Sequence, residues 1–212
     1  MACAICQSRR PRRFCPGVRG DICTICCGTE REETVFCPLD CEYLREAHKH
    51  EKPASPQPSD VPNRDIRISE EFLHKNEELL AYLSQALPDA AMRISDAVDF
   101  DVREALEALV RTYRALQNGV YYENRPNNPI AARICAATQE RIAEYRRAEL
   151  EQWGMPKTRD ADVLGALVFL QRLEIDRNNG RRRGRAYLAF LKELDPSQDR
   201  RIAPARSSLV LP

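Results

Sequence analysis

The stretch DICTICCGTE, residues 21–30, sets Cys26 and Cys27 side by side, three residues behind Cys23. Neighbouring cysteines reach disulfide geometry only with strain, so the pair calls for two different partners. Eight of the nine cysteines in this chain of 212 residues fall within the first 41. The opening MACAICQSRR holds no apolar core of signal-peptide length, and no window approaches the run of about 18 apolar residues that suggests a membrane span. The chain therefore reads as a cytoplasmic protein with no membrane association. In a reducing compartment a cysteine cluster is a metal site more often than a disulfide framework.

Spacing divides the cluster. Cys3-x2-Cys6 and Cys23-x2-Cys26 are separated by sixteen residues, within the class that reads as a zinc site. A pair two apart forms a knuckle whose tight turn lets both thiolates converge on one tetrahedral ion at about 2.3 Å. Two knuckles make one complete site, and Cys15, Cys27, Cys37 and Cys41 remain. Successive side chains on an extended chain point to opposite faces, so Cys26 is expected to face one ion and Cys27 a second. Two interleaved Zn2+ sites result, each tying together segments distant in sequence. A block of about 50 residues with so few large apolar side chains would draw most of its folding free energy from metal binding. His48 and His50 compete as ligands. If Cys41 opens a continuous helix, His48 lies about 10.5 Å along its axis, too far to share an ion, and HKH then reads as a solvated helix end suited to the dipole.

The order Cys3-x2-Cys6-x8-Cys15-x7-Cys23-x2-Cys26, followed by a later ligand pair, resembles the B-box type of cross-braced zinc finger. In that family the first, second, fifth and sixth ligands hold one ion, which corresponds to Cys3, Cys6, Cys23 and Cys26. Cys15 would be the third ligand, and Cys37 with Cys41 the closing pair, which is usually histidine. The fourth ligand would fall at Val18, which cannot bind metal, so Cys27 or Asp21 must substitute. The closing pair also lies further away than usual. The RING pattern fits worse, because Cys15 has no partner ligand one to three residues later. The resemblance is confined to residues 1–50 and implies a protein-interaction module rather than a catalyst. Two closed sets of four thiolates agree, since a catalytic zinc keeps an open position.

Beyond the cysteines, Pro53, Pro56, Pro58 and Pro62 mark residues 51–66 as an extended linker. Residues 67–195 then carry helical periodicity, and the fold class is mainly α, a small zinc module followed by a bundle of about five helices. The first stripe is Phe72, Leu73, Asn76, Leu79, Leu80, Leu83 and Leu87, closed by Pro88. A second helix, capped by Asp99 or Asp101, carries Val102, Leu106, Leu109 and Tyr113 and stops at Asn118-Gly119. DAAMRISDAV between them is a weaker helical candidate. Asn128-Pro129 opens a third helix with Ile130, Ile134, Thr138, Ile142, Tyr145 and Trp153, ending at Gly154. A fourth runs from Asp160 to the break at NNG, 178–180, and a fifth from Arg181 to Leu194. Residues 196–212 have no period and read as a mobile tail.

Function classes narrow accordingly. With 33 basic and 32 acidic residues the chain has no global field to draw it to nucleic acid or anionic lipid. Two local arginine runs, RRPRR at 9–13 with Arg19 and RNNGRRRGR at 177–185, could meet phosphates, although aromatic stacking residues are sparse beside them. Asp96, Asp99 and Asp101 read as caps, and Cys135 as a buried thiol. No phosphate loop, nucleotide fingerprint or nucleophile elbow occurs. The expected role is a non-catalytic zinc-binding adaptor or regulator with a protein partner. Nucleic-acid binding through the arginine runs is the alternative, and thiol redox sensing the second.

Overall fold

Asn128 shows how the helices begin: its side chain accepts the backbone N–H groups of Ile130 and Ala131, and Pro129 follows without an N–H to leave unpaired. The computed structural model describes residues 2–51 and 61–194. Its elements are β1 (Arg13–Cys15), β2 (Gly20–Ile22), α1 (Thr24–Glu30), α2 (Glu42–His50), α3 (Glu70–Lys75), α4 (Glu77–Met92), α5 (Asp99–Gln117), α6 (Pro129–Trp153), α7 (Asp160–Arg177) and α8 (Ala186–Glu193). The class is mainly α, as the periodicity indicated. Helices α3 to α8 form the bundle, in which α5 packs most extensively on α7 and α6, and α4 lies across α6, α7 and α8.

The expected stripes form the core. Leu83, Leu87, Leu106, Leu109, Ile134, Leu167, Leu170, Tyr187 and Leu188 are buried in one cluster. Gly119 and Gly154, with φ of 74° and 75°, stop α5 and α6 where their sequences foretold. Two aspartates of α5 reach beyond their own helix. Asp101 accepts the Val98 N–H and also the Asn128 amide at 2.6 Å. Asp99 is buried and accepts the N–H groups of Tyr187 and Leu188, so it caps α8 from across the bundle. The starts of α5, α6 and α8 are thereby fixed to one another.

Three boundaries differ from the sequence reading. The first helix breaks at Asn76, whose amide turns back to the Phe72 carbonyl, and α4 then continues through Pro88 to Met92. Proline removes one N–H, but Pro88 is itself buried near the helix end, where its ring packs and little of the ladder is lost. The DAAMRISDAV segment divides accordingly: Asp89–Met92 closes α4 and the rest forms turns. The last helix starts at Ala186, because residues 181–185 are spent as a loop against the cysteine-rich segment. Trp153, placed with the core by spacing, is 55% exposed at the far end of α6, under the Lys157 ammonium.

The C-terminal end of the expected linker is bound to the bundle rather than extended from it. Arg172 donates to the carbonyls of Pro62, Asn63 and Ile66, and Arg114 pairs with Asp65 at 2.6 Å, so residues 62–66 are strapped to α5 and α7. Residues 52–60, and 195–212 with the expected tail, lie outside the described residues.

The cysteine module meets the bundle at Glu32, which is fully buried. Its carboxylate accepts the Arg185 N–H at 2.8 Å, the Asn179 amide at 2.8 Å and the His48 ring at 2.9 Å. Its carbonyl accepts the Arg183 N–H at 2.6 Å. Arg181 reaches the Arg31 carbonyl and stands 3.3 Å from Glu51, while the Arg185 guanidinium lies over the Phe36 ring. Burial alone would lower the pKa of His48, but the Glu32 carboxylate outweighs it and holds the ring above its ordinary value of 6.5. Burial likewise acts to raise Glu32, and His48 reverses it.

Two predictions follow from these contacts. At Gly165 of α7 an added methyl would run into the Phe72 ring, so Gly165→Ala should destabilise by about 1–3 kcal/mol despite the better helix propensity of alanine. In a Phe72→Ala background the same change should become neutral or favourable, as read by urea denaturation. For the junction, a raised histidine pKa means that the contribution of His48 is complete below pH 6.5 and is lost as pH rises through the raised value. The Arg185 amide resonance should track that loss, and His48→Gln should abolish the dependence.

Candidate metal centre

The first cysteine set is assembled by the hairpin and α1. Ala4 N–H donates to the Asp21 carbonyl and Cys3 N–H to the Arg9 carbonyl, which lays the N-terminal knuckle beside β2. Gln7 takes a φ of 54° to close that knuckle onto the Cys3 carbonyl. Cys23 is the N-cap of α1 and accepts the Cys26 N–H at 3.4 Å, while its own N–H donates to the Cys3 sulfur at 3.2 Å. The sulfurs of Cys3, Cys6, Cys23 and Cys26 all lie within 4.8 Å of one another. A zinc tetrahedron with Zn–S bonds of about 2.3 Å needs edges of roughly 3.8 Å, which falls within that bound. All four are free thiols, and Cys3, Cys23 and Cys26 are buried with Ile22.

Electrostatics point the same way. The Ser8 hydroxyl, with the backbone N–H groups of Ser8 and Arg9, lowers the Cys6 thiol to about 5. Burial, with the thiols of Cys23, Cys6 and Cys3 beside it, pushes Cys26 up to about 12. Four thiolates could not share this space uncompensated; a divalent cation held by them would supply the missing charge, since a coordinated thiol ionises outright. Arg9 donates to Cys23 at the rim, which raises its own pKa. The donor set and its geometry fit a metal ion.

Cys26 and Cys27 do part company, though not as strand neighbours. Both belong to α1, where successive side chains diverge by about 100° rather than 180°, and that angle suffices. Cys26 joins the first set. Cys27 lines a second cavity of about 20 Å3 together with Cys15, Cys37 and Cys41. That volume admits one water-sized or ion-sized body. Cys15 comes from β1, Cys41 is the N-cap of α2, and Cys37 comes from the loop between α1 and α2. The hairpin turn closes on that loop at Gly17, where a Cβ would stand 2.5 Å from the Phe36 carbonyl oxygen. Burial pushes Cys37 up to about 11, against a hydrogen bond from the Glu32 N–H, with Glu32, Cys15 and Cys41 adding to the rise. The second four sulfurs do not meet the 4.8 Å convergence of the first.

Other candidates separate clearly. Val18 packs against the first cluster and Asp21 is exposed, leaving Cys27 as the residue beside a second site. The continuous α2 keeps His48 away from the cysteines, but it is not a solvated helix end: with Glu32 and Glu51 it forms a compact triad. The Glu32 oxygens there are already taken by Arg185, Asn179 and His48, which makes the triad an ion-pair network rather than a metal cage. His50 pairs with Glu46 in solvent. Cys135 is buried, its thiol pushed up to about 11 by that burial. Glu32 escaped the sequence reading because EREE at 30–33 looks like any solvated charge run.

No protein-family model matches the chain, and neither curated proteins nor solved structures include a significant match to it.

Metal removal should act on one part of the molecule. A strong chelator is expected to collapse the amide dispersion of residues 2–45 in NMR spectra, while the far-UV helical signal of the bundle stays near its native value. The bundle has its own apolar core and the module depends on its ligands.

Proposed function

We propose that this chain is a non-catalytic zinc-binding adaptor or regulatory protein, in which a cross-braced module presents a rigid surface to a protein partner. The observation that carries this reading is the convergence of four free thiols from two knuckles within 4.8 Å. All-thiolate sets of four are closed and structural in character. In the proposed arrangement one Zn2+ is held by Cys3, Cys6, Cys23 and Cys26 and a second by Cys15, Cys27, Cys37 and Cys41. Support for the second ion is the ion-sized cavity that those four cysteines share. The B-box-like interleaving and the polar junction at Glu32 favour a module that displays a surface in a set orientation. Of the two arginine runs, 177–185 is turned inward at Arg181 and Arg185, which weakens the nucleic-acid reading as it stood for that run. No helix among the described residues is long and apolar enough to cross a membrane.

Elemental analysis of protein purified without added metal tests the reading. Two zinc ions per chain are expected, falling to one in Cys27→Ser, with the wild-type zinc-loaded protein retaining in pull-downs a partner that the Cys23→Ser, Cys26→Ser variant loses. One zinc, unaffected by Cys27→Ser, would leave four free thiols around the second cavity and replace the adaptor reading with thiol redox sensing.

A further inference from the structure

The two arginine runs meet different fates. In the loop 178–185, Arg181 and Arg185 are consumed by the module, as described above. In the hairpin, Arg10, Arg12 and Arg19 are exposed, and among the described residues none of them forms an ion pair. Arg9 is engaged with Cys23 and Arg13 lies 4.0 Å over the Tyr43 ring, which leaves those three guanidiniums free.

Phe14, which closes the RRPRR run, is 61% exposed. The scarcity of stacking aromatics read from the sequence is therefore corrected at this one position. Alternation along β1 puts Phe14 on the face opposite Arg13 and Cys15, the latter turned to the second cysteine cavity. Arg12, exposed immediately before β1, precedes Phe14 by two residues. A bare ring is ordinarily a liability, yet here it stands on a short hairpin tied down by the flanking cysteines. One cavity that touches Phe14 is the 20 Å3 one among the cysteines, too small to take an apolar side chain from a partner peptide. What the face offers is a flat π-surface with free guanidiniums beside it, which is the chemistry that stacks a base and holds its phosphates.

We propose that the Arg10–Phe14 hairpin face, with Arg19, binds single-stranded nucleic acid, Phe14 stacking on a base while Arg10, Arg12 and Arg19 contact the backbone. The site goes beyond an adaptor role and uses the zinc module only as its rigid support. Asp21, the cross-strand partner of Phe14, is the one acid on the hairpin and limits the affinity.

The test is fluorescence anisotropy of a labelled oligouridine of roughly ten nucleotides with the full zinc-loaded chain. Binding should weaken with salt, the logarithmic slope being about −2 for three phosphate contacts on a single strand. Phe14→Ala should weaken it about tenfold at unchanged slope. Arg10→Ala with Arg12→Ala should flatten the slope, and Asp21→Asn should tighten binding. Wild-type affinity in Phe14→Ala, or equal displacement of the oligonucleotide by oligoglutamate, would overturn stacking and leave a non-specific anion contact. Absence of binding at low salt would overturn the proposal altogether. Zinc content is measured on the same samples: loss of binding with full zinc counts against the hairpin face, whereas an unexpected zinc count counts against the cross-braced module.

Discussion

Four sulfur atoms brought within 4.8 Å of one another are the constraint on which the N-terminal fifty residues depend. This segment has a hairpin with strands of three residues, a helix of seven and one of nine, each too short to persist alone. Its large fully buried apolar side chains are Ile22 and Leu44, far less than a domain of this size needs for a core. Convergent thiols replace that core. They also decide local structure, since Cys23 both belongs to the site and caps α1. The hairpin register then turns Cys15 inward and Phe14 outward, so what the module hides and what it displays follow from one set of ligands.

The second dependency is Glu32. A carboxylate with no solvent contact is costly unless every oxygen is satisfied, and here the donors come from both parts of the chain: His48 from the module, and Asn179 and Arg185 from the bundle. Its backbone sits at a φ of 55°, a conformation that costs a non-glycine residue on the order of 1 kcal/mol and that turns both side chain and carbonyl toward the bundle. Glu32 is also the residue whose N–H meets Cys37. The same short loop therefore serves the second cysteine set and the junction, and a disturbance at either is felt at the other through a single peptide unit.

Much of the bundle could be read from residues whose conformational needs are local. Asn128-Pro129, Gly119 and Gly154 mark boundaries because capping and left-handed φ are properties of one or two residues. The three-and-four spacing located the core for the same reason. Features that rest on distant partners could not be read. Asp99 looked like the cap of its own helix and instead caps α8, eighty-eight residues on. Pro88 ended a helix by local rule but is carried through by packing. At the cysteines, spacing identified the first four and the divergence of Cys26 from Cys27, while the assumed extended backbone was in fact helical; rotation by either period separates the pair, so that divergence does not depend on the backbone assumed. Trp153 and Glu32 exchange the places that their chemistry would suggest, one apolar and outside, the other charged and inside.

The arginine runs carry the same lesson into function. Composition cannot tell them apart: each is a short basic stretch in a chain whose charges nearly cancel. What separates them is the distribution of carboxylates in space. Around residues 181–185 the fold gathers Glu32, Glu51 and Asp99, three acids distant in sequence; Arg181 pairs with Glu51 and the Arg185 N–H with Glu32, while Arg182 and Arg183 stay exposed. Around residues 9–13 Asp21 is the lone acid of the hairpin, and of that run only Arg9 donates to a cysteine sulfur. Charges left without internal partners remain hydrated at the surface, where they cost the fold little and are free to serve a ligand. A basic side chain thus becomes structural where the fold brings an acid to it and stays at the surface where it does not, and the two runs of this protein hold both kinds.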